Sequence, residues 1–147
     1  MKNLHKPVML KEVVSYIPLK KKISVVDATF GGGGYSKAIL EKFNVSELLA
    51  IDRDPISITL SNDIKKKFTN FSLVNDTFSR IDKIVEESNL VKKKFDIILY
   101  DLGTSSNQID NAIRGFSFNK SGPLDMRMGL NKKNAFEIVN NYNEKNL

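Results

Sequence analysis

ISVVDATFGGGG, residues 23–34, sets four consecutive glycines directly after a short apolar run. A second apolar run, LLAID at 48–52, follows and ends in an acid. Short apolar runs between turn signals are typical of buried strands, and the residues between these two have a helical pattern. Strand, glycine turn, helix, strand and acid together form the first half of a nucleotide-type cofactor site. We refer to Gly31–Gly34 as the glycine turn.

The glycine turn and the acid suit different parts of a cofactor. Glycines let the backbone approach a ligand closely, and their N–H groups can point at an anionic group, while Asp52 can hold two ribose hydroxyls. Three interpretations are open on these residues alone: a site for S-adenosylmethionine, a dinucleotide site, and a purely structural turn. We favour S-adenosylmethionine, because the G-x-G-x-x-G spacing fails at Lys37 and because Asp27 ends the first strand with an acid.

The rest of the chain continues to alternate strand and helix. Residues 71–74 and 95–101 are predicted as the third and fourth strands. Helical patterns cover four segments: 7–17, 34–43, 55–67 with Asp54 as its cap, and a stretch through Ile81 to Leu90 capped by Thr77 or Ser79. This alternation predicts an α/β fold with about four parallel strands joined by right-handed crossovers. The last strand is an open edge unless another segment covers it.

Two residues extend the predicted cofactor site. Phe78 follows the third strand, where an adenine would lie; alternatively it is a core aromatic or a staple for the next helix. Asp101 closes the fourth strand, next to where a transferred group must sit; alternatively it caps a helix or fixes a loop. Residues 102–127 are rich in Gly, Ser and Asn without a clear period, as in functional loops. A short helical pattern begins at Asn134.

Composition limits the classes of function. The 147 residues suit one domain, and the net charge of +6 permits a polyanionic partner, although the lysine clusters are typical of solvated loops. The chain has no cysteine, which excludes disulfides, zinc thiolate sites and thiol nucleophiles, and we predict no metal site. No apolar stretch reaches the length of a membrane span and no secretory signal is present, so we expect a cytoplasmic protein.

Six motifs carry a family resemblance. They are HKPVML at 5–10, DATFGGGGYS at 27–36, AIDRDP at 50–55, DLGTSSNQ at 101–108, RGFSF at 114–118 and GPLDMRM at 122–128. Together they resemble the bacterial RsmH (MraW) family, whose members use S-adenosylmethionine to methylate the exocyclic N4 of a cytidine in 16S ribosomal RNA. The resemblance covers nearly the whole chain and implies a Rossmann-like class I methyltransferase fold.

The resemblance also implies roles for individual residues. The implied cofactor contacts are Gly33, Gly34 and Tyr35 in the glycine turn, Asp52 at the ribose, Phe78 at the adenine, and Asp101 and Gln108 beside the methionine end. Many members have histidine in place of Tyr35, so we expect its contact through the backbone. Asp101, or a carbonyl of residues 102–105, is the candidate acceptor for the protons of the target amino group. Phe116 or Phe118 would receive the target base, or would anchor their loop by burial.

The resemblance stops short of the whole family pattern. Residues 1–130 correspond to part of the methyltransferase domain, and residues 131–147 correspond to the start of a helical substrate-binding insertion. We therefore expect a truncated or split enzyme acting on 16S ribosomal RNA in the small ribosomal subunit, with a separately encoded C-terminal half as a partner. The alternatives are a non-catalytic remnant that at most binds S-adenosylmethionine and, less favoured, an NAD-dependent oxidoreductase. We predict little or no methyltransferase activity for the isolated chain.

Overall fold

The computed structural model describes residues 7–19, 22–88 and 94–147. These residues form two compact units, Met1–Leu102 and Gly103–Leu147. The predicted division at 130/131 concerns the domain organisation of the longer family members and stays a prediction. Residues 5 and 6 of the first motif, Leu90 of the fourth helical pattern, and most of the lysine clusters at 20–22 and 92–94 lie outside the described residues.

The first unit is built on a four-stranded sheet in the order β3-β2-β1-β4. Its strands are β1 (Ile23–Asp27), β2 (Val45–Ile51), β3 (Phe71–Val74) and β4 (Ile97–Leu99). All three pairings, β1 with β2, β1 with β4 and β2 with β3, are parallel. The predicted parallel α/β architecture is therefore confirmed, and the carboxyl ends of all four strands meet at one edge of the sheet, which we call the carboxyl edge.

The helices of this unit lie where helical patterns were predicted, although several boundaries differ and one predicted helix is divided into two. They are α1 (Leu10–Tyr16), α2 (Gly34–Lys42), α3 (Ile56–Leu60), α4 (Asn62–Lys67) and α5 (Ile81–Glu87). The prediction of one continuous helix over 55–67 is wrong, because the helix is interrupted at Ser61. The Ser61 hydroxyl donates to the carbonyl of Ile58 at 2.8 Å, and such back-bonding competes with regular helical geometry.

The predicted cap of α5 is also wrong. A 3₁₀ turn, Phe78–Arg80, precedes the helix, and neither element has a side-chain cap. The hydroxyls of Thr77 and Ser79 instead bond each other at 2.9 Å. The loop after β3 therefore ends in a tight turn that starts with Phe78, and this turn determines where the ring lies.

Each face of the sheet has its own hydrophobic core. Because side chains alternate along a strand, Val25 packs with Ile39 of α2 on one face, whereas Val26 packs with Ile84 of α5 on the other. All five residues of β1 are buried, including the polar Ser24 and Asp27, so the strand is covered on both faces. Such a central strand is rigid, and the site residues at its carboxyl end are held accordingly.

The second unit contains more regular structure than predicted. Its helices are α6 (Ser106–Asp110) and α7 (Ala135–Asn141), with 3₁₀ turns at Ala112–Arg114 and Glu144–Asn146. α6 begins with a capping box between Ser105 and Gln108, and the S-x-x-Q signature was present in the sequence. α7 begins after Asn134, as predicted, and the Asn134 side chain accepts the N–H of Glu137 at 2.7 Å.

Two of the family motifs pack against each other in the second unit. The N–H of Met126 donates to the carbonyl of Arg114 at 3.0 Å. Gly115 has φ +74°, and an added Cβ would lie 2.3 Å from a backbone oxygen of the GPLDMRM motif. A Cβ on Gly122 would lie 2.0 Å from another backbone oxygen. Both glycines therefore allow a close approach of backbones that no other residue permits.

Candidate functional site

The glycine turn is packed tightly against the core. Gly33 has φ +77°, and an added Cβ would lie 2.6 Å from the ring of Phe30 and 2.8 Å from Ile64. Its N–H donates to the carbonyl of Phe30 at 2.7 Å. Glycine is therefore required at position 33 both by backbone conformation and by space. The Gly33 amide serves the turn itself, so its expected contact with a ligand must come from another atom of this residue.

The first amides of α2 are the donors best placed to bind an anion at the turn. Gly34 and Tyr35 begin the helix, and the first amides of a helix have no acceptor within it. They also lie at the positive end of the helix dipole. The Tyr35 side chain is buried, and its hydroxyl donates to the carbonyl of Val8. No sequence pattern indicated this bond, which ties the segment before α1 to the turn.

Asp52 closes the turn from β2. One carboxylate oxygen accepts the N–H of Gly31 at 2.6 Å, and the other accepts the N–H of Asp54 at 2.8 Å. Burial raises the pKa of Asp52, and the two N–H groups oppose that shift. Each oxygen has a second lone pair for a ligand hydroxyl. The structure thus brings two predicted features together, the glycine turn and the acid that follows β2.

Asp27 is fully buried at the end of β1. Its carboxylate accepts the Ser36 hydroxyl at 2.6 Å and the N–H of Thr29 at 3.2 Å. Burial raises the pKa of Asp27 to about 6 against these two hydrogen bonds, and the charges of Asp52 and Asp101 raise it further. Asp27 therefore fastens the first turn of α2 to β1. Sequence reasoning identified the acid but missed Ser36, which lies in that turn.

Asp101 follows β4 at the same edge. Its N–H donates to the Thr29 hydroxyl at 2.7 Å, while the residue as a whole is exposed. Thr29 was another residue that sequence reasoning missed. It fixes the backbone of Asp101 beside β1, so the carboxyl edge carries three carboxylates, those of Asp27, Asp52 and Asp101.

An aromatic pair lies at the carboxyl edge. Phe78 and Tyr100 are 40% and 46% exposed, and their ring centroids are 5.5 Å apart with an interplanar angle of 86°. Phe78 was predicted as a site residue. Tyr100 was missed because it lay inside a predicted strand, where an aromatic residue is usually a core residue.

The remaining predicted residues belong to the second unit. Gln108 is buried, and its side-chain oxygen accepts the N–H of Ser105 at 2.9 Å. Phe116 is partly buried, in keeping with a role in anchoring its loop, whereas Phe118 is fully exposed. Their expected contacts with cofactor or base stay predictions.

Metal-binding clusters and membrane-spanning helices are both absent from the described part of the chain. Within 7–19, 22–88 and 94–147, no group of three or more His, Asp or Glu side chains is arranged to hold a metal ion. In the same ranges, every helix is too short or too polar to cross a membrane.

Comparison with known proteins places this chain in a family. Residues 2–147 match the MraW methylase family. The ribosomal RNA small subunit methyltransferase H of Caldicellulosiruptor saccharolyticus is 47% identical over 146 residues, which cover 97% of this chain and 47% of that protein. The protein of the same name from Mycoplasma mobile is 44% identical over 147 residues, which cover 99% of this chain and 48% of that protein.

A solved structure shares the fold. A conserved hypothetical protein of Streptococcus pyogenes aligns with a TM-score of 0.51 at 16% identity, over 65% of this chain and 57% of that one. The chain spans about half the length of the curated relatives that it matches. On the match over residues 2–147, the chain belongs to the MraW methylase family.

Proposed function

We propose that this chain carries the S-adenosylmethionine-binding half of an enzyme that methylates N4 of a cytidine in 16S ribosomal RNA. One observation of the structure supports the proposal above all: the Asp52 carboxylate accepts the N–H of Gly31 at 2.6 Å, which joins the ribose-binding acid to the glycine turn. Relatives named ribosomal RNA small subunit methyltransferase H support the RNA substrate. The choice of cytidine as the target, and of N4 as the methylated atom, is supported only by the family resemblance.

The residues present fit the cofactor. The amides of Gly34 and Tyr35, beside Gly33, would hold the methionine carboxylate, and Asp52 would accept hydrogen bonds from the ribose. Phe78 would lie against the adenine and Asp101 near the methionine end, and the family resemblance adds Gln108 there. When bound, S-adenosylmethionine supplies a methyl group on a positively charged sulfur.

The charge of the proposed site favours S-adenosylmethionine over a dinucleotide. The charges of Asp52 and Asp101 both act on Asp27, so the three carboxylates share one electrostatic environment. That environment repels the two negative charges of a pyrophosphate and attracts a sulfonium. A nicotinamide-dependent oxidoreductase is therefore the weaker interpretation of the same glycine turn.

Asp101 is the residue proposed to serve the reaction. A cytosine amino group is a poor nucleophile because its lone pair is delocalised into the ring. A hydrogen-bond acceptor beside the amino group helps the nitrogen to become pyramidal and then removes a proton. The exposed carboxylate of Asp101, with its backbone held by Thr29, can act in this way. A carbonyl of residues 102–105 is the alternative acceptor, and Phe116 or Phe118 would hold the displaced base.

Coverage of β4 is part of the proposal. Within the described residues β4 pairs with β1 alone. Ile98 of β4 is 52% exposed, and an apolar groove of about 520 Å³, lined by Val26, Val85 and Phe95 among others, runs beside it. The matched relatives are about twice as long as this chain. We propose that the half of the relatives that this chain does not match covers β4, and that the two halves together act on the small ribosomal subunit in the cytoplasm.

Methyl transfer tests the proposal directly. The chain alone, and the chain mixed with the half of the Caldicellulosiruptor relative that it does not match, would be incubated with small ribosomal subunits and S-adenosylmethionine. We expect N4-methylcytidine, detected by mass spectrometry of the nucleosides, in the mixture and little or none with the chain alone. A methyl group on another base would contradict the proposed specificity. Robust transfer by the chain alone would contradict the need for a second half.

A non-catalytic remnant is the second candidate, and the exposed face of β4 favours it. A remnant would bind S-adenosylmethionine at most weakly, would aggregate through β4, and would gain no activity from a second half. The same mixing experiment separates the two candidates, because only a split enzyme recovers methyl transfer.

A further inference from the structure

Phe78 and Tyr100 are in contact although they follow the two outer strands of the sheet. β3 and β4 are its outer strands, with β2 and β1 between them. At about 4.8 Å per strand, the ends of β3 and β4 are about 14 Å apart, yet the two ring centroids are separated by 5.5 Å. The loop after β3 and the two side chains together therefore span the carboxyl ends of β2 and β1.

That loop is fastened to the proposed ribose residue. The Asn75 side-chain amide donates to the backbone carbonyl of Asp52 at 2.7 Å. The loop thus starts after Val74, is held to Asp52 by Asn75, and leads to Phe78, whose ring meets that of Tyr100. The Asn75 hydrogen bond therefore links the backbone of the proposed ribose residue to the loop that carries Phe78.

The ring geometry leaves Phe78 open to a ligand. In an edge-to-face pair, the ring that presents its edge keeps both faces open, and the other ring keeps one. Tyr100 therefore leaves at least one face of Phe78 uncovered, and Phe78 is 40% exposed. A free aromatic face of fixed orientation is a suitable platform for a nucleobase.

We propose that Tyr100 is a positioning residue that fixes the angle of the Phe78 ring for stacking against the adenine of the cofactor. Tyr100 acts through its ring, because the contact is between the two rings, and its hydroxyl is not needed. This inference rests on the proposed function, in which Phe78 is the adenine contact.

A double-mutant cycle tests the inference. S-adenosylhomocysteine would be titrated calorimetrically into the unaltered chain, Tyr100→Leu, Phe78→Ala and the double variant. We expect Tyr100→Leu to weaken binding about threefold to tenfold, the range of an aromatic pair, and Tyr100→Phe to bind as tightly as the unaltered chain. In the Phe78→Ala background, Tyr100→Leu should cause no further loss.

Controls separate positioning from folding. Tyr16→Leu removes a tyrosine that is 88% exposed on α1 and should leave binding unchanged. Thermal unfolding of every variant shows which of them keep the fold, and Tyr100→Leu retains an apolar side chain at a half-exposed position. The inference would be overturned if Tyr100→Leu weakened S-adenosylhomocysteine binding equally in the unaltered and Phe78→Ala backgrounds. It would also be overturned if Tyr100→Leu did not weaken binding at all. If the unaltered chain fails to bind S-adenosylhomocysteine, the proposed function fails and this inference fails with it.

Discussion

Asp27 is a buried acid whose charge is unfavourable to the fold. Its pKa is raised from 3.8 to about 6, chiefly by burial. Between pH 4 and 6 the unfolded chain ionises this carboxyl while the folded chain keeps it protonated. The folded state therefore loses stability as the pH rises through this range, and above pH 6 the loss stays constant. A shift of this size corresponds to about 3 kcal/mol.

Replacing Asp27 with asparagine removes that titration. The oxygen of the new side chain would still accept the N–H of Thr29, and the Ser36 hydroxyl would become the acceptor for the new amide. We expect the free energy of unfolding of Asp27→Asn, relative to the unaltered chain, to rise by about 3 kcal/mol between pH 4 and pH 6 and to stay level above pH 6. Urea unfolding at four pH values measures it. A difference that does not change with pH would contradict the burial of a charged Asp27.

The sequence predicted individual site residues better than the residues that contact them in the folded chain. Asp52 and the glycine turn were predicted as one unit because strand ends and glycine runs can be recognised from neighbouring residues in the sequence. Ser36, Thr29 and Tyr100 were not, because their contacts depend on how α2 and β4 lie beside β1. The direction of a side chain at a strand end depends on the assembled sheet, which no local pattern contains.

The bond between Tyr35 and Val8 links α2 to the segment that leads into α1. Tyr35 is buried and its hydroxyl donates to the Val8 carbonyl. In Tyr35→Phe the ring stays packed while the donor is lost, which should cost about 1 kcal/mol of stability. We expect faster hydrogen exchange for the amides of α1 and unchanged exchange in β1 and β2. Unchanged exchange in α1 would show that the bond does not hold this helix in place.

In the first unit, the predicted alternation of strands and helices was confirmed; β3 has the predicted bounds, whereas several other elements do not. β4 was predicted over 95–101 but spans Ile97–Leu99, because its length is set by the three residues of β1 that pair with it. α1 begins later than predicted because Met9 adopts a left-handed conformation, with φ 54°. Pairing partners and single backbone angles are tertiary properties, so periodicity could not show them.

For the whole molecule, the exposed face of β4 determines how the isolated chain behaves. An exposed apolar edge strand is a site of association. We expect Ile98→Lys to lower the light scattering of the isolated chain and to prevent recovery of methyl transfer by the second half. Ile58→Lys, at a residue of α3 that is 46% exposed, is the matched control and should change neither. Recovery of activity by Ile98→Lys would mean that the second half does not cover β4.

We propose that the glycine turn and Asp52 bind S-adenosylmethionine, and calorimetric titration of the chain tests this claim. We expect S-adenosylmethionine to bind and NADH not to bind. Asp52→Asn should weaken binding of S-adenosylmethionine about tenfold to a hundredfold, because charge-assisted hydrogen bonds to the ribose are lost. Asp63→Asn, the same change at an exposed acid of α4, should leave binding unchanged. Binding of NADH in preference to S-adenosylmethionine, or equal affinities for Asp52→Asn and the unaltered chain, would contradict the claim.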